Sequence, residues 1–280
     1  MQYIKVPREI IYAKDIGDKR IACFTYFVFH MGLNDRVLFY CNYLIEWCHF
    51  KPKRDKGCMN DKFKKILSWM YTNGLIHNFD DNDFDEKRFS SNSIFVVDIN
   101  REWFSPSGDF ALIFDFEIEV INDYYQKNKK TIDTRISWAT ILLVLSYVRC
   151  NIRHRPKECY ETASEIEKCP EILFRKYIEI ADDIGISERA VSKCIKILCE
   201  LEILIKADMP RFKDKSGNWH TDSTIFTNKH KYVQDKKTKE PILFTDYKPD
   251  REIKYGKKLV ASRKLTITSE KIYEEDFNII

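Results

Sequence analysis

The sequence predicts an α+β fold, mainly helical and divided into two domains, on three observations. One order of elements occurs twice, about 128 residues apart, as two copies of one plan would produce. The 280 residues suit two domains of ordinary size. With 44% hydrophobic and 14% aromatic residues, each domain can bury a core.

In the first copy, residues 4–12 read as a lead-in strand and residues 19–31 as an aromatic-rich helix closed by Gly32. A short strand at 37–40 precedes a helix at 42–48, with Asn42 as its N-cap, and then a basic connection at 50–58 that contains Pro52 and Gly57. A third helix opens at Asn60. Its Phe63, Ile66, Leu67 and Met70 recur at the spacing of one buried face, and Asn73-Gly74 is its stop signal. Strands at 75–79 and 94–99 flank the polar loop 80–93, forming a long-looped hairpin.

The second copy follows a polar linker at 122–130 and opens with a strongly apolar helix at 136–148. Residues 151–169 read as an irregular insertion. Helix two is 177–184, Gly185-Ile186 is the turn, and helix three runs from Ser187 to about Glu200. Strands at 203–207 and 224–227 close a second hairpin around the loop 208–223. The domain reading is therefore 1–121, a linker at 122–130, 131–228, and a lysine-rich tail at 229–280 that is extended or partly ordered.

Residues 178–198 carry the pattern of a helix-turn-helix. Ala181 is small where two helices cross, and Gly185 can take the positive φ of a tight turn. Ile186 fills the angle between the helices, and the Ser187 hydroxyl can accept a bond from an otherwise orphaned N–H. On the third helix Val191, Cys194, Ile195 and Leu198 form the inward stripe, while Arg189, Lys193, Lys196 and Glu200 face away. A free face with three cations can enter the major groove, where Arg pairs with guanine edges and Lys neutralises phosphate. An ordinary solvated helix face is the competing account. In the following hairpin, Arg211, Lys213, Lys215 and Asn218 lie around Gly217, as at a wing tip on the phosphate backbone. The fold this predicts is two winged helix-turn-helix domains in tandem, with small β-hairpin wings.

In the first copy Asp61, Lys64, Lys65, Ser68 and Thr72 lie opposite the core stripe. Residues 51–65 hold seven basic residues against two acidic, Lys53 and Arg54 among them, with Asn60 at the helix start. This is a candidate phosphate-contacting patch. The acidic loop at 80–86 would be repelled by phosphate, so the first domain is expected to bind without its wing or to serve protein contacts.

A net charge of +4, from 47 basic and 43 acidic residues, requires any nucleic-acid site to be local. The eight glycines form neither a P-loop nor a dinucleotide-binding turn. Asp81, Asp83 and Asp85 mimic the start of a calcium loop, but Glu86 stands at the glycine position and Asn92 where the closing Glu belongs. Cys48-His49 with Cys58, and Cys150, His154, Cys159 and Cys169, lack the paired spacing of a zinc site. Asp115, Glu117 and Glu119 could form a nuclease carboxylate cluster, though alternation over 110–120 favours a half-exposed strand. No cofactor, metal or catalytic residue is expected. Cys23, Cys41, Cys48, Cys150, Cys194 and Cys199 sit in apolar helical patterns, where thiols pack as small hydrophobes. The odd number of cysteines, nine, and a start without an apolar signal region point to the cytoplasm. The longest apolar run, 139–145, is too short to span a bilayer.

These stretches, Tyr3-Ile-Lys-Val-Pro-Arg-Glu, Asn42-Tyr-Leu-Ile-Glu-Trp, 60–76 and 180–205, resemble the tandem winged-helix replication initiators of theta-type plasmids, phages and mobile elements of low-GC Gram-positive bacteria. The likeness spans most of residues 1–228. It implies sequence-specific binding of double-stranded DNA at origin repeats, with contacts from Arg189, Ser192, Lys193 and Lys196, and from Lys64, Lys65 and Ser68 in the first copy. It further implies recruitment of host replication proteins without enzymatic activity; a second copy of the chain is a further candidate partner, with the oligomeric state left open. A transcriptional regulator on the same fold is the alternative, and a metal-dependent nuclease a distant one.

Overall fold

The computed structural model describes residues 3–32, 34–53, 58–78, 94–104, 109–152 and 172–208. Beyond these it describes short strands at 212–213, 219–220, 225–228, 233–234, 241–242, 260–261 and 266–267. The chain is mixed α+β, with helices in the majority and small antiparallel sheets. It divides into two compact units, Met1–Cys150 with Ala181–Val191, and Asn151–Ile180 with Ser192–Ile280.

The first unit opens with β1 (Tyr3–Pro7), which ends where Pro7 hands over to the short α1 (Arg8–Tyr12). The lead-in strand is thus shorter than its apolar residues predict. A 3₁₀ turn at Lys14–Ile16 leads to α2 (Arg20–His30), which is buried from Arg20 to Phe27. Next come β2 (Arg36–Tyr40), α3 (Cys41–Trp47) and α4 (Met59–Thr72). Phe63, Ile66, Leu67 and Met70 of α4 are fully buried, as their spacing predicts. Gly74 takes φ 70° just past its end, a conformation that a side chain would strain.

The strands β3 (Ile76–Asn78) and β4 (Ile94–Ile99) pair antiparallel, Ile76 opposite Ile99. β2 pairs with the other side of β4, Tyr40 opposite Ile94, so the order is β2-β4-β3. After α5 (Arg101–Phe104), β5 (Phe110–Phe114) returns to pair with β1.

Two expectations fail in the next segment. The strand expected over 110–120 stops at Phe114, and α6 (Asp115–Asn128) follows, so most of the expected linker at 122–130 is helix. The apolar helix α7 (Trp138–Asn151) was expected to open the second domain, but nearly all of it belongs to the first unit. All residues from Trp138 to Cys150 are buried, the signature of a helix enclosed on every side. Trp138 Nε1 donates to the Cys48 carbonyl at 2.6 Å, and Thr140 Oγ1 donates to Asp18 Oδ2 at 2.5 Å.

The second unit contains β6 (Ile172–Phe174), then parts of α8 (Tyr177–Ile184) and α9 (Glu188–Glu200), and β7 (Leu204–Asp208). Two-residue strands β8 (Phe212–Lys213) and β9 (Trp219–His220) precede β10 (Ile225–Asn228). β10 pairs on one side with β7 and on the other with β6, Ile225 lying between Ala207 and Phe174. The expected tail adds strands as well. β11 (Val233–Gln234) pairs with β12 (Pro241–Ile242), β13 (Val260–Ala261) with β8, and β14 (Thr266–Ile267) with β7.

Candidate nucleic-acid interface

The segment with the strongest sequence pattern folds as a tight corner between two amphipathic helices. On α8, Ile180, Ala181 and Ile184 are buried. The helix ends as the N–H groups of Gly185 and Ile186 both donate to the Ala181 carbonyl, at 2.9 and 3.2 Å. Gly185 takes φ 75°, the left-handed value that lets the chain leave α8 sharply. Ile186 is only half-buried, so it fills the corner less completely than expected. The Ser187 Oγ accepts from the Ala190 N–H at 3.2 Å and caps α9, as its position predicts.

The two faces of α9 differ sharply. Val191, Cys194, Ile195 and Leu198 have no exposed surface, and Ala190 and Ile197 little. On the other side Ser187, Arg189, Ser192 and Lys196 are exposed, and Lys193 is half-buried. Lys196 lies 3.8 Å from Glu200 one turn on, and 78% of its side chain stays open to solvent. Such an exposed pair holds the ammonium weakly and leaves it exchangeable for a phosphate.

The corner is held from behind by buried polar bonds. Arg20 is fully buried, and its guanidinium donates to four carbonyls: Ile10 at 2.7 Å, Ile11 at 2.6 Å, Gly17 at 2.6 Å and Ile184 at 3.0 Å. Burial lowers its pKa to about 10, and nearby Asp18 opposes the shift, so it is charged at neutral pH. The Tyr147 hydroxyl donates to Asp183 Oδ2 at 2.6 Å.

The first-copy candidates are arranged differently. Asn60, expected at a phosphate patch, is tied inward: its Oδ1 accepts from the Lys53 N–H at 2.7 Å, and its Nδ2 donates to Asn42 Oδ1 at 3.3 Å. A side amide used at both ends holds the chain between α3 and α4 and has little left for a ligand. Lys65 is exposed, but its ammonium donates to the Asp15 carbonyl at 2.6 Å. Lys64 and Ser68 are half-buried on the same helix, and Lys53 is exposed. Arg54 lies outside the described residues, as do Arg211, Lys215, Asn218, the acidic loop 80–93 and most of the insertion 151–169. Lys213 is placed in the strand β8, opposite Trp219, rather than at a loop tip.

The three carboxylates considered for a nuclease do not converge. They stand at alternate positions on the first turns of α6, so Glu117 points away from its neighbours. Glu117 is fully buried against Arg149, while Glu119 is exposed. Among the described residues no three His, Cys, Asp or Glu side chains come together as metal ligands. Cys23, Cys41, Cys48, Cys150, Cys194 and Cys199 are all buried free thiols.

No protein-family model, curated protein or solved structure matches this chain. Among the described residues no helix is long and apolar enough to cross a membrane. The functional reading therefore rests on the geometry of α8, its turn and α9, and on the strand order around them. Sequence reasoning missed Arg20 and Asp183, because nothing in a local pattern marks a residue whose partners are many positions away.

Proposed function

We propose that this chain binds double-stranded DNA in a sequence-specific manner through two winged helix-turn-helix units, and acts as a plasmid- or phage-type replication initiator at origin repeats. The observation that carries the reading is a strand order that occurs twice. Among the described residues each series has a helix, a strand, two helices and two further strands, the two-residue β8 and β9 intervening before β10 in the second, and the last strand lies between the other two: β2-β4-β3 after α2, and β6-β10-β7 after α7. In the second series the third helix follows the tight corner at Gly185, and in both it is followed by antiparallel strands, features that support a winged-helix plan.

The α9 face supports DNA as the ligand. Its inward residues are all apolar, so the exposed Arg189, Ser192 and Lys196 carry no share of the core. An Arg near the start of such a helix is placed to read guanine edges, and Lys one or two turns on to hold phosphate. Because Asn60 and Lys65 bond within the protein, α9 rather than α4 is the principal reading helix in this proposal. Host replication proteins would be recruited to the bound origin, with no reaction catalysed by the chain itself.

The test separates reading from anchoring. On duplexes selected from a random library, Arg189→Ala should relax preference at one base pair by about 1–3 kcal/mol, and Lys196→Ala should weaken every sequence alike. Wild-type protein that retains all duplexes equally contradicts sequence-specific reading. Replication of a minimal plasmid carrying this gene and the selected repeats tests the initiator role. Binding without replication would make the chain a transcriptional regulator on the same fold.

A further inference from the structure

We propose that Arg20 is a positioning residue for DNA binding: by holding the carbonyl of Ile184, the last residue of α8, it sets the direction in which the turn at Gly185 delivers α9. The inference rests on the reading above that α9 contacts DNA. Arg20 itself has no exposed surface and cannot touch a ligand.

Three consecutive residues at the corner are each fixed by a different partner. Asp183 accepts the Tyr147 hydroxyl, and the Tyr147 ring packs against Tyr12 with centroids 5.6 Å apart. Ile184 accepts Arg20 Nη2, which also donates to Ile11. Gly185 approaches Lys14 so closely that an added Cβ would stand 2.7 Å from the Lys14 Cβ, 3.2 Å from its carbonyl oxygen and 3.3 Å from its Cα. The corner thus rests on backbone and on a buried guanidinium, neither of which yields as a flexible side chain does.

The chemistry suits the task. A carbonyl in the last turn of a helix has no partner within the helix, and the helix C-terminus favours a cation. The guanidinium is a rigid planar fork, so its bonds to Ile10, Ile11 and Gly17 fix the direction from which it meets Ile184. An ammonium would hold one such carbonyl without fixing the others. Arg189 follows Gly185 by four residues within the same unit, so a change in the direction of the turn displaces its guanidinium from any base edge it reads. A hydrogen bond to a base edge does not survive such a displacement.

The experiment compares full-length wild type, Arg20→Met and Arg20→Lys by duplex binding and by amide hydrogen exchange. Expected for Arg20→Met are unchanged protection within α7 and the centre of α9, at least tenfold faster exchange at Gly185 and Ile186, and at least tenfold weaker duplex binding. Arg20→Lys should recover part of both losses. If Arg20→Met does not fold, Arg20→Gln, which keeps a short buried donor, replaces it in the same two measurements. A folded Arg20→Met or Arg20→Gln protein that binds within twofold of wild type overturns the inference alone. Wild-type protein that holds no duplex overturns the DNA reading beneath it.

Discussion

Arg149 grips the carboxylate of Glu117 with both terminal nitrogens, one of them at 2.5 Å, and neither side chain reaches solvent appreciably. The same Arg149 nitrogen donates to the Leu112 carbonyl at 2.7 Å, and Glu117 accepts the Phe114 N–H at 2.9 Å, so the pair ties β5, α6 and α7 together.

Removing one partner strands the other charge in the core. Glu117→Ala should cost about 3–5 kcal/mol, the range for breaking a buried pair from one side. Urea denaturation of the two proteins checks this. A loss below about 1 kcal/mol would mean that water reaches Arg149.

Asn60→Ala should destabilise the protein by about 1–3 kcal/mol, because it leaves the Lys53 N–H and the Asn42 side chain without a bond they now have. A thermal melt measures it. If Asn60 instead serves only a ligand, its removal leaves the melting temperature unchanged and weakens duplex binding.

Burial alone would raise the Asp18 carboxyl, but Lys19, Thr140 and Arg20 together hold it below its ordinary value. With a depressed folded pKa, the unfolded chain takes up the proton first. The stabilisation is therefore present above the ordinary carboxylate range and disappears as acid protonates the folded protein. Between pH about 4 and lower values, wild type should lose stability more steeply than Asp18→Asn. Parallel stability curves for the two proteins would contradict the assignment.

Burial pushes the Cys41 thiol up to about 12 and those of Cys150 and Cys199 to about 11, and also raises those of Cys23 and Cys48 well above the ordinary thiol value. Thiolate is the reactive form, so these five should resist a thiol reagent at neutral pH until the protein unfolds. Cys58, half-buried, should react in the native state. Mass spectrometry of the labelled protein locates the modified sites, and early labelling of Cys23 or Cys48 would show that the core around them opens.

Where a local pattern carries the information, sequence and structure agree closely. The stripe of Phe63, Ile66, Leu67 and Met70, the stop at Asn73-Gly74, the glycine turn at 185 and the Ser187 cap are all short-range features. The disagreements come from distant partners. Residues 110–120 alternate like a strand, yet Glu117 turns inward to a partner 32 positions away, and the backbone coils into α6. Asn60 and Lys65 look like surface groups on the helix face, and their acceptors lie 18 and 50 positions back. The triplet Ile172–Phe174 is too short to register as a strand until β10 arrives beside it.

The most direct test of the account is a selection from random duplexes, followed by a salt titration of wild type and of Lys193→Glu combined with Lys196→Glu. The account predicts a recovered sequence, a linear fall of log affinity with log salt, and loss of binding in the variant with its fold retained. Substituting one phosphate-contacting Lys by Ala should reduce the slope by about one unit. Equal binding by wild type and the double variant, or an affinity indifferent to salt, would show that the open face of α9 does not meet DNA.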